Sequence, residues 1–452
     1  MRSVRSIDMT EGPIARQLVD FAAPMLIGLI FQQLYNTVDT IVVGNFVSSQ
    51  ALAAVGSTGP LINSLLGFFS GFSAGATVVI ARAFGARNRR EVHDAVHTTI
   101  LMTILLALAV TAAGLALTPA LLRMMRAPQD MMPDAVTYLR IYFAGISGLM
   151  LYNMGAGILR AVGDSRRPLY FLIFSAIINT IGDLLFVLVF RLGVAGVAYA
   201  TILAQGLSAL LVLYNLTHSE DQYRLQLKKL HLHPGTLKKI VSIGLPTALQ
   251  SAVTAFSNVF VQSYINVFGS ACAAGWSIYG KLDQFALLPL QAISMASATF
   301  VGQNLGALNI QRAKRGIRTA LIMGMGSTAV LMLPLILFSG TLLRLFSQQS
   351  DVLYYGSMFV VWISPFYLFA CVNDILGGAL RGAGEALAAM ICMLMSFVVI
   401  RQIYLFIISR VSDSPLLIGL GYPLGWVLCC ISLIICYRVI PWEQKQAARQ
   451  NA

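Results

Sequence analysis

Charged residues are scarce in this sequence of 452 residues. Asp, Glu, Lys and Arg together make up 11% of it, whereas a soluble domain contains about 25%. This excludes a soluble globular protein with one large core. Hydrophobic residues make up 57% of the chain and occur in long runs such as 100–119, each near the roughly 20 residues that a helix needs to cross a bilayer. We therefore predict an all-α integral membrane protein.

Signatures of several other protein classes are absent. The six cysteines all lie in the second half without the spacing of a zinc or iron–sulfur site, so we expect no cofactor and no metal beyond a possible Na+. The stretch "GWSIYGK" (275–281) matches most of a phosphate-binding loop, but Leu282 stands where Ser or Thr is needed. The N-terminus has no small-residue cleavage site of a signal peptide. The sequence also contains no nucleophile–base arrangement, so we predict that the protein is not an enzyme.

The basic residues are distributed in a way that indicates orientation. Twelve apolar segments place both termini on one side, and 23 of the 31 Lys and Arg lie on that side, against six on the other. The remaining two, Lys281 and Arg401, fall inside segments. Cytoplasmic loops of membrane proteins are rich in Lys and Arg. We therefore predict a multi-pass protein of the cell membrane with cytoplasmic termini. This pattern also explains the net charge of +13 without nucleic acid as a partner.

The two halves of the chain repeat each other. "GILRAVGDS" (157–165) corresponds to "GALRGAGEA" (378–386), and "ARAFGARN" (81–88) to "GQNLGALN" (302–309). Both pairs are 221 residues apart (378 minus 157, and 302 minus 81). Six segments per half imply two parallel repeats, which is one plan of secondary transporters. The predicted divisions are a cytoplasmic N-terminus (1–16), a first six-helix lobe (17–217), a cytoplasmic linker (218–238), a second six-helix lobe (239–440) and a cytoplasmic C-terminus (441–452).

Polar residues interrupt the segments of the first half at matching depth. Asp39, Asp183 and Thr201 each lie about six to eight residues from the outer end of their segment, which is about 9–12 Å at 1.5 Å per residue. Helical spacing places further polar residues on the faces of the two acids; these are Gln32, Asn36 and Asn179. Acidic residues inside a membrane indicate function. Asp, Asn and Thr oxygens suit Na+, and two close carboxylates also suit a proton. The alternative for Gln32, Asn36 and Thr201 is hydrogen bonding between helices.

The second half lacks this carboxylate pair. At the repeat offset, Asp39 corresponds to Phe260 or Val261, and Asp183 to Tyr404. A neutral stripe there either lines a substrate path or joins helices; it contains Gln250, Thr254, Asn258 and Gln262. Intramembrane charges usually pair with one another, so we expect Lys281 and Asp283 to pair with Arg401 or Asp374. A role of these charges in binding substrate or protons is the alternative.

These features together resemble the MATE (multidrug and toxic compound extrusion) transporters. The resemblance rests on the twelve segments in two halves, the two L-R-x-x-G-[DE] loops, "VGQNLGA" (301–307) and Asp39. It implies two six-helix bundles that form a V around a central cleft, and cation-coupled export of organic, often cationic, compounds. In the DinF-like branch, the residues corresponding to Asp39, Asn179, Asp183 and Thr201 bind the coupling cation. The segment that begins near residue 239 carries no acid, which favours this branch over the NorM-like one.

The predicted function is secondary antiport, with Na+ or H+ entering and small organic molecules leaving. We expect a monomer within the lipid bilayer. Pro24 lies on the same predicted helix as Asp39, and proline bends helices, so Pro24 is a candidate hinge. A flippase for a lipid-linked or amphiphilic substrate is the alternative, although it should carry more cationic residues than Lys281 and Arg401 in its path. A channel or a membrane enzyme is the third possibility, but the sequence contains no loop that resembles a selectivity filter, no metal cluster and no nucleophile–base arrangement.

Overall fold

Helices account for nearly all the secondary structure of this chain. The computed structural model describes residues 7–47, 49–124, 131–219 and 221–442. In the first half the α-helices are α1 (Ile14–Phe46), α2 (Ser49–Gly85), α3 (Arg89–Met124), α4 (Met132–Ala161), α5 (Arg166–Leu184) and α6 (Gly193–His218). A π-helical turn, Leu185–Val189, continues α5. A short 3-10 helix, Leu227–Lys229, follows α6.

The second half has the same plan with more interruptions. Its α-helices are α7 (Pro234–Asn266), α8 (Ser270–Gly306), α9 (Ile310–Leu337), α10 (Ser339–Arg344), α11 (Ser350–Ile363), α12 (Tyr367–Gly382), α13 (Ala386–Leu394), α14 (Arg401–Val411), α15 (Pro415–Gly419) and α16 (Gly421–Val439). A 3-10 turn, Ser364–Phe366, joins α11 to α12. A π-helical segment, Met395–Ile400, joins α13 to α14. Across the described residues, twelve helical segments are long and apolar enough to cross a membrane, which confirms the predicted all-α fold.

The repeated loops of the sequence are repeated helix ends. After α4, the N–H of Gly163 donates to Arg160 O and that of Asp164 to Leu159 O; after α12, Gly384 and Glu385 donate to Arg381 O and Leu380 O. This is the Schellman motif, in which the residue after the cap takes a left-handed backbone. Gly163 and Gly384 have φ of 87° and 79°. The recurring glycine of the two loops is therefore a requirement of helix termination.

The first of these turns is further fixed by its acid. Asp164 Oδ1 accepts the backbone N–H groups of Arg166 and Arg167, both at 3.1 Å, which satisfies two of the free donors at the start of α5. Burial raises the pKa of the Asp164 carboxyl above its ordinary value, and the N–H of Arg167 opposes that rise. The turn also binds Ile7, whose N–H donates to Gly163 O.

Replacing Gly163 with Ala should lower the melting temperature of the purified protein. A left-handed backbone costs an L-residue about 1–2 kcal/mol, and the added Cβ would collide with the backbone carbonyl of Ile7. Thermal unfolding followed by fluorescence would measure the change. Gly206→Ala is the matched control, because nothing lies within 4 Å of a Cβ added there. Equal melting temperatures for the two variants would show that the Gly163 turn carries no such strain.

The chain divides into two compact units. One contains Ala23–Gly244 and the chain up to Asp8, and the other contains Met9–Ala22 and the chain from Leu245 onward. The divisions thus fall within α1 and within α7. Each of these helices contains a proline two residues beyond the division, namely Pro24 and Pro246. Since proline removes a helical hydrogen bond, both helices lack one backbone hydrogen bond next to the division.

Each unit has its own apolar core. In the first unit, α2, α3 and α4 bury a cluster that includes Phe69, Leu122, Leu139 and Met150. In the second unit, α8, α11, α12 and α16 bury an aromatic cluster, which contains Trp276, Tyr279, Phe359, Tyr367 and Trp426. The predicted lobe boundaries, 17–217 and 239–440, stay a prediction.

Candidate functional site

Three helices of the first unit supply the predicted residues of the candidate site. Asp39 lies in the second half of α1, Asp183 near the end of α5, and Thr201 in α6. Helices α5 and α6 come very close between these residues, because a Cβ at Gly182 would lie only 3.0 Å from Ala200 Cβ. Gly182 precedes Asp183 and Ala200 precedes Thr201, so the close contact between Gly182 and Ala200 brings Asp183 and Thr201 to the same level of the two helices.

The structure brings the two acids together. The carboxyl groups of Asp39 and Asp183 are near enough to interact. Asp183 is fully buried, and neither of its oxygens has a hydrogen-bond donor; Asp39 Oδ1 is likewise buried without a donor. A buried carboxylate without partners is costly, and two of them repel each other. This arrangement therefore favours a proton or a cation between the carboxyl groups.

The neutral members of the predicted site are Asn179 of α5 and Thr201 of α6. Asn179 precedes Asp183 by one turn of α5, is 1% exposed, and has no partner for either amide atom. The Thr201 hydroxyl donates to Val197 O at 3.0 Å, so its oxygen keeps acceptor capacity. An amide oxygen and a hydroxyl oxygen beside two carboxyl groups form an oxygen-rich set, which suits a hard cation.

Three further residues of this site were not predicted from the sequence. Tyr35 interacts with both Asp39 and Gln205, and Tyr138 of α4 interacts with both acids. Gln205 is 8% exposed, and its Oε1 has no partner. Spacing could have indicated two of them, because Tyr35 precedes Asp39 by four residues and Gln205 follows Thr201 by four. No sequence spacing indicated Tyr138, since only the packing of α4 against the other helices places it near Asp39 and Asp183.

An apolar cluster packs next to the site. Its members on α1, on the π-helical turn after α5 and on α6 lie about one helical turn along the chain from Asp39, Asp183 and Thr201, in that order. The buried members of the cluster are Val42, Val43, Ala51, Tyr138, Val187, Val194, Val197 and Ala198. We call this group the valine cluster. The π-helical turn Leu185–Val189 carries Val187 into it and begins two residues after Asp183. Single π-helical turns frequently occur at functional sites.

The remaining candidates of α1 are less buried. Gln32 is half-buried and Asn36 is exposed, whereas Asp39 is half-buried with one buried oxygen. Of the three polar residues on this face of α1, Asn36 is thus exposed, and Asp39 has a buried side-chain oxygen. Pro24 is half-buried inside α1, and the helix continues through it. Its role as a hinge stays a prediction.

The neutral stripe of α7 divides into separate interactions. Gln250 Nε2 donates to Met393 Sδ at 2.7 Å, and Gln262 Nε2 donates to Asn266 Oδ1 at 2.8 Å. Asn258 Oδ1 accepts from Arg401 at 2.8 Å. Thr254 Oγ1 is buried without a partner. The stripe therefore includes both local pairs and groups with unused hydrogen-bonding capacity.

The expectation that Lys281 and Asp283 pair with Arg401 or Asp374 is wrong. Lys281 lies over the ring of Phe346, 5.6 Å from its centre. Asp283 accepts a hydrogen bond from the Tyr279 hydroxyl at 3.2 Å. Asp374 interacts with Arg381. Within the described ranges, no ion pair joins any two of Lys281, Asp283, Asp374 and Arg401. The sequence shows which residues lie in each membrane segment but not how each helix is rotated about its axis. That rotation determines which charged side chains face each other.

The described residues also contain no group of three or more His, Cys, Asp or Glu side chains placed to hold a metal ion. A cation at Asp39 and Asp183 would thus depend on amide, hydroxyl or water oxygens besides the two carboxyl groups.

Comparisons with known proteins agree with this architecture. A model of the MatE family matches residues 24–185 and again residues 246–407. The second match begins 222 residues after the first (246 minus 24), so the two halves are repeats of one unit, as the sequence predicted. The matches together cover more than half of the chain.

Relatives are similar over nearly their whole length. "Probable multidrug resistance protein YpnP" of Bacillus subtilis (strain 168) is 30% identical over 441 residues, which cover 97% of this chain and 98% of the relative. "Probable multidrug resistance protein NorM" of Thermotoga maritima is 26% identical over 413 residues, covering 89% and 88%. A solved structure, described as the outward-facing conformation of a multidrug resistance MATE family transporter of the MOP superfamily, matches with a TM-score of 0.89 at 22% identity over 100% of both chains.

Proposed function

Since this chain belongs to the MatE family, whose members are membrane transporters and not enzymes, we propose that it exports small organic compounds in exchange for Na+ or H+. Export of drugs or metabolites is supported by the relative named a probable multidrug resistance protein, which is 30% identical over nearly both chains. The proposed site of coupling is the group Asp39, Asn179, Asp183 and Thr201.

The observation that carries this proposal is the buried acid pair. Asp39 and Asp183 interact, and three of their four oxygens are buried without a donor. Charged groups inside a membrane protein are retained mainly where they bind ions, protons or substrates. A proton or Na+ would neutralise the pair, and the same oxygens would release it when the surroundings change.

The proposed mechanism couples this neutralisation to helix packing. An uncharged or cation-bound pair allows α1 and α5 to pack closely at Asp39 and Asp183, whereas two free carboxylates push them apart. Backbone hydrogen bonding is already irregular at two places in these helices. One is the π-helical turn that follows Asp183, and the other is Pro24 in α1. A conformational change is driven only if the cation binds the two states with different affinity.

We further propose that both termini lie in the cytoplasm and that the chain belongs to the DinF-like branch. The distribution of Lys and Arg supports the orientation. The lack of an acid in the sequence of α7, "PGTLKKIVSIGLPTALQSAVTAFSNVFVQSYIN", supports the branch.

The proposal is tested in inverted membrane vesicles that contain the protein. Uptake of a fluorescent organic cation and, in a second series, of a fluorescent organic anion is followed while a Na+ gradient or a pH gradient is imposed separately, with empty-vector vesicles as the control. We expect uptake under one gradient and its loss when an ionophore removes that gradient. Uptake that persists after both gradients are removed would contradict antiport.

A further inference from the structure

Arg401 is a buried cation in the second unit without a counter-charge. It is 3% exposed and is the first residue of α14, directly after the π-helical segment Met395–Ile400. Its Nη2 donates to Ser257 Oγ at 2.9 Å and to Asn258 Oδ1 at 2.8 Å. The guanidinium carbon lies 4.7 Å from the centre of the Tyr422 ring. All of these partners are neutral.

No carboxylate forms an ion pair with Arg401 in the described ranges. The acid of α8, Asp283, already accepts from Tyr279. Burying a charge is costly unless it is paired and hydrogen-bonded, and a buried arginine in a structural role is normally matched by an acid. Here the Nε atom of Arg401 is also buried and has no acceptor. The guanidinium therefore lacks both a negative charge and one hydrogen-bond acceptor.

Two neighbours of Arg401 are accessible from outside the protein core. Asn258 is exposed and Tyr422 is half-buried, so a ligand oxygen that displaces Asn258 Oδ1 reaches Nη2. Thr254 Oγ1, one turn earlier on α7, is buried without a partner and can donate. A planar guanidinium binds carboxylate or phosphate through two parallel hydrogen bonds.

An aromatic surface lies beside this cation. The Tyr422 ring packs against Trp276 and Trp426 with ring centres 5.5 Å and 5.9 Å apart. Aromatic rings favour stacked or edge-to-face contact with further rings. Trp276 and Trp426 are buried and fix the Tyr422 ring, so the half-buried Tyr422 is the ring left to contact a flat, unsaturated molecule beside the cation.

We propose that Arg401 and Tyr422 form a binding site for the anionic group of an aromatic molecule that carries a carboxylate or a phosphate. The inference rests on the proposed function in that this molecule is the exported compound, and it names the class of that compound. Arg401 binds the anionic group, Tyr422 contacts the ring system, and Thr254 and Asn258 supply further hydrogen bonds.

The test is direct binding to the purified full-length protein in nanodiscs of uncharged lipid, measured by equilibrium dialysis without any gradient. Three probes share one ring system: 1-naphthoate, 1-naphthyl phosphate and 1-naphthylmethylammonium. We expect the wild type to bind at least one of the two anions about tenfold or more tightly than the cation. A comparison of the two anions distinguishes carboxylate from phosphate as the preferred group.

Variants locate the site. Arg401→Gln should weaken anion binding about 10- to 100-fold, the range expected for hydrogen bonds to a charged group, and Arg401→Lys should weaken it less. Tyr422→Leu should weaken all three probes. The matched control is Arg410→Gln, since Arg410 lies exposed on the same helix over Phe406 and should not affect binding.

The outcomes separate this inference from the proposed function. Equal binding of cation and anions by the wild type, no binding of either anion at millimolar concentration, or unchanged anion binding in a folded Arg401→Gln protein would each overturn it. If Arg401→Gln does not fold, the probe series on the wild type and the Arg401→Lys protein decide. Asp183→Asn should retain anion binding, so failure of gradient-driven transport leaves this result intact.

Discussion

Replacing Asp183 with Asn should abolish gradient-driven export. The substitution keeps the size of the side chain and removes its charge. A ligand that loses a buried polar partner loses about 1–3 kcal/mol, and more where the partner is charged, and each 1.4 kcal/mol is a factor of about ten in binding. We therefore expect the uptake rate in inverted vesicles to fall about 100-fold or more at equal expression. The physical reason is that Asn179, Thr201 and a single remaining carboxyl cannot replace the lost ligand.

Two comparisons make this result specific. Asp351→Asn, at an exposed position at the start of α11, should transport like the wild type. Asp39→Asn should resemble Asp183→Asn, and the double variant should be no worse than either, because residues of one interacting pair have non-additive effects. Wild-type transport by Asp183→Asn would mean that the polar residues of α5 only join helices. Additive effects would mean that Asp39 and Asp183 act at separate sites.

Gly182→Val should reduce transport although it leaves every polar residue in place. A Cβ at Gly182 would already lie 3.0 Å from Ala200 Cβ and 3.4 Å from Ala200 Cα. Two additional methyl carbons must push α5 away from α6 between Asp183 and Thr201. Such overpacking typically costs about 1–3 kcal/mol, which corresponds to a fall of about 5- to 100-fold if it acts on the cation-bound state.

The series Gly182→Ala and Gly182→Val provides a graded test. Alanine should have the smaller effect, and Gly206→Ala, with open space around its Cβ, should have none. Size-exclusion chromatography of each variant shows whether the protein remains folded, so that transport is compared among folded proteins only. A folded Gly182→Val protein with full transport would show that the close approach of α5 and α6 is not needed for coupling.

The fold was predictable because the membrane imposes one physical rule on each segment. Every span must satisfy its backbone hydrogen bonds internally, so a run of about 20 apolar residues is sufficient to indicate a helix. The loops "GILRAVGDS" and "GALRGAGEA" were equally informative, since each contains the glycine that the left-handed turn requires. At the corresponding turns after α2 and α8, Arg87 and Leu308 take φ of 54° and 60°. No residue type indicated those two positions in advance.

The acids of the first unit were predictable from depth and helical spacing, and the structure places Asp39 beside Asp183. Partners that depend on helix rotation were not predictable. Tyr138 reaches the acids only because of how α4 packs, and Arg401 faces Ser257 and Asn258 rather than an acid. A sequence specifies which residues share one helix face, but the facing residues of other helices follow from tertiary packing.

The valine cluster also acts as an electrical insulator. It consists of apolar side chains and Tyr138 just beyond the acids, so an ion that entered from that end would lose its water before reaching any carboxyl oxygen. Apolar constrictions of this kind exclude ions by dewetting. In the proposed mechanism, a coupling ion would therefore reach Asp183 from the side of Asn179 and Gln205, and passage past the valine cluster would require the ends of α1 and α6 to separate.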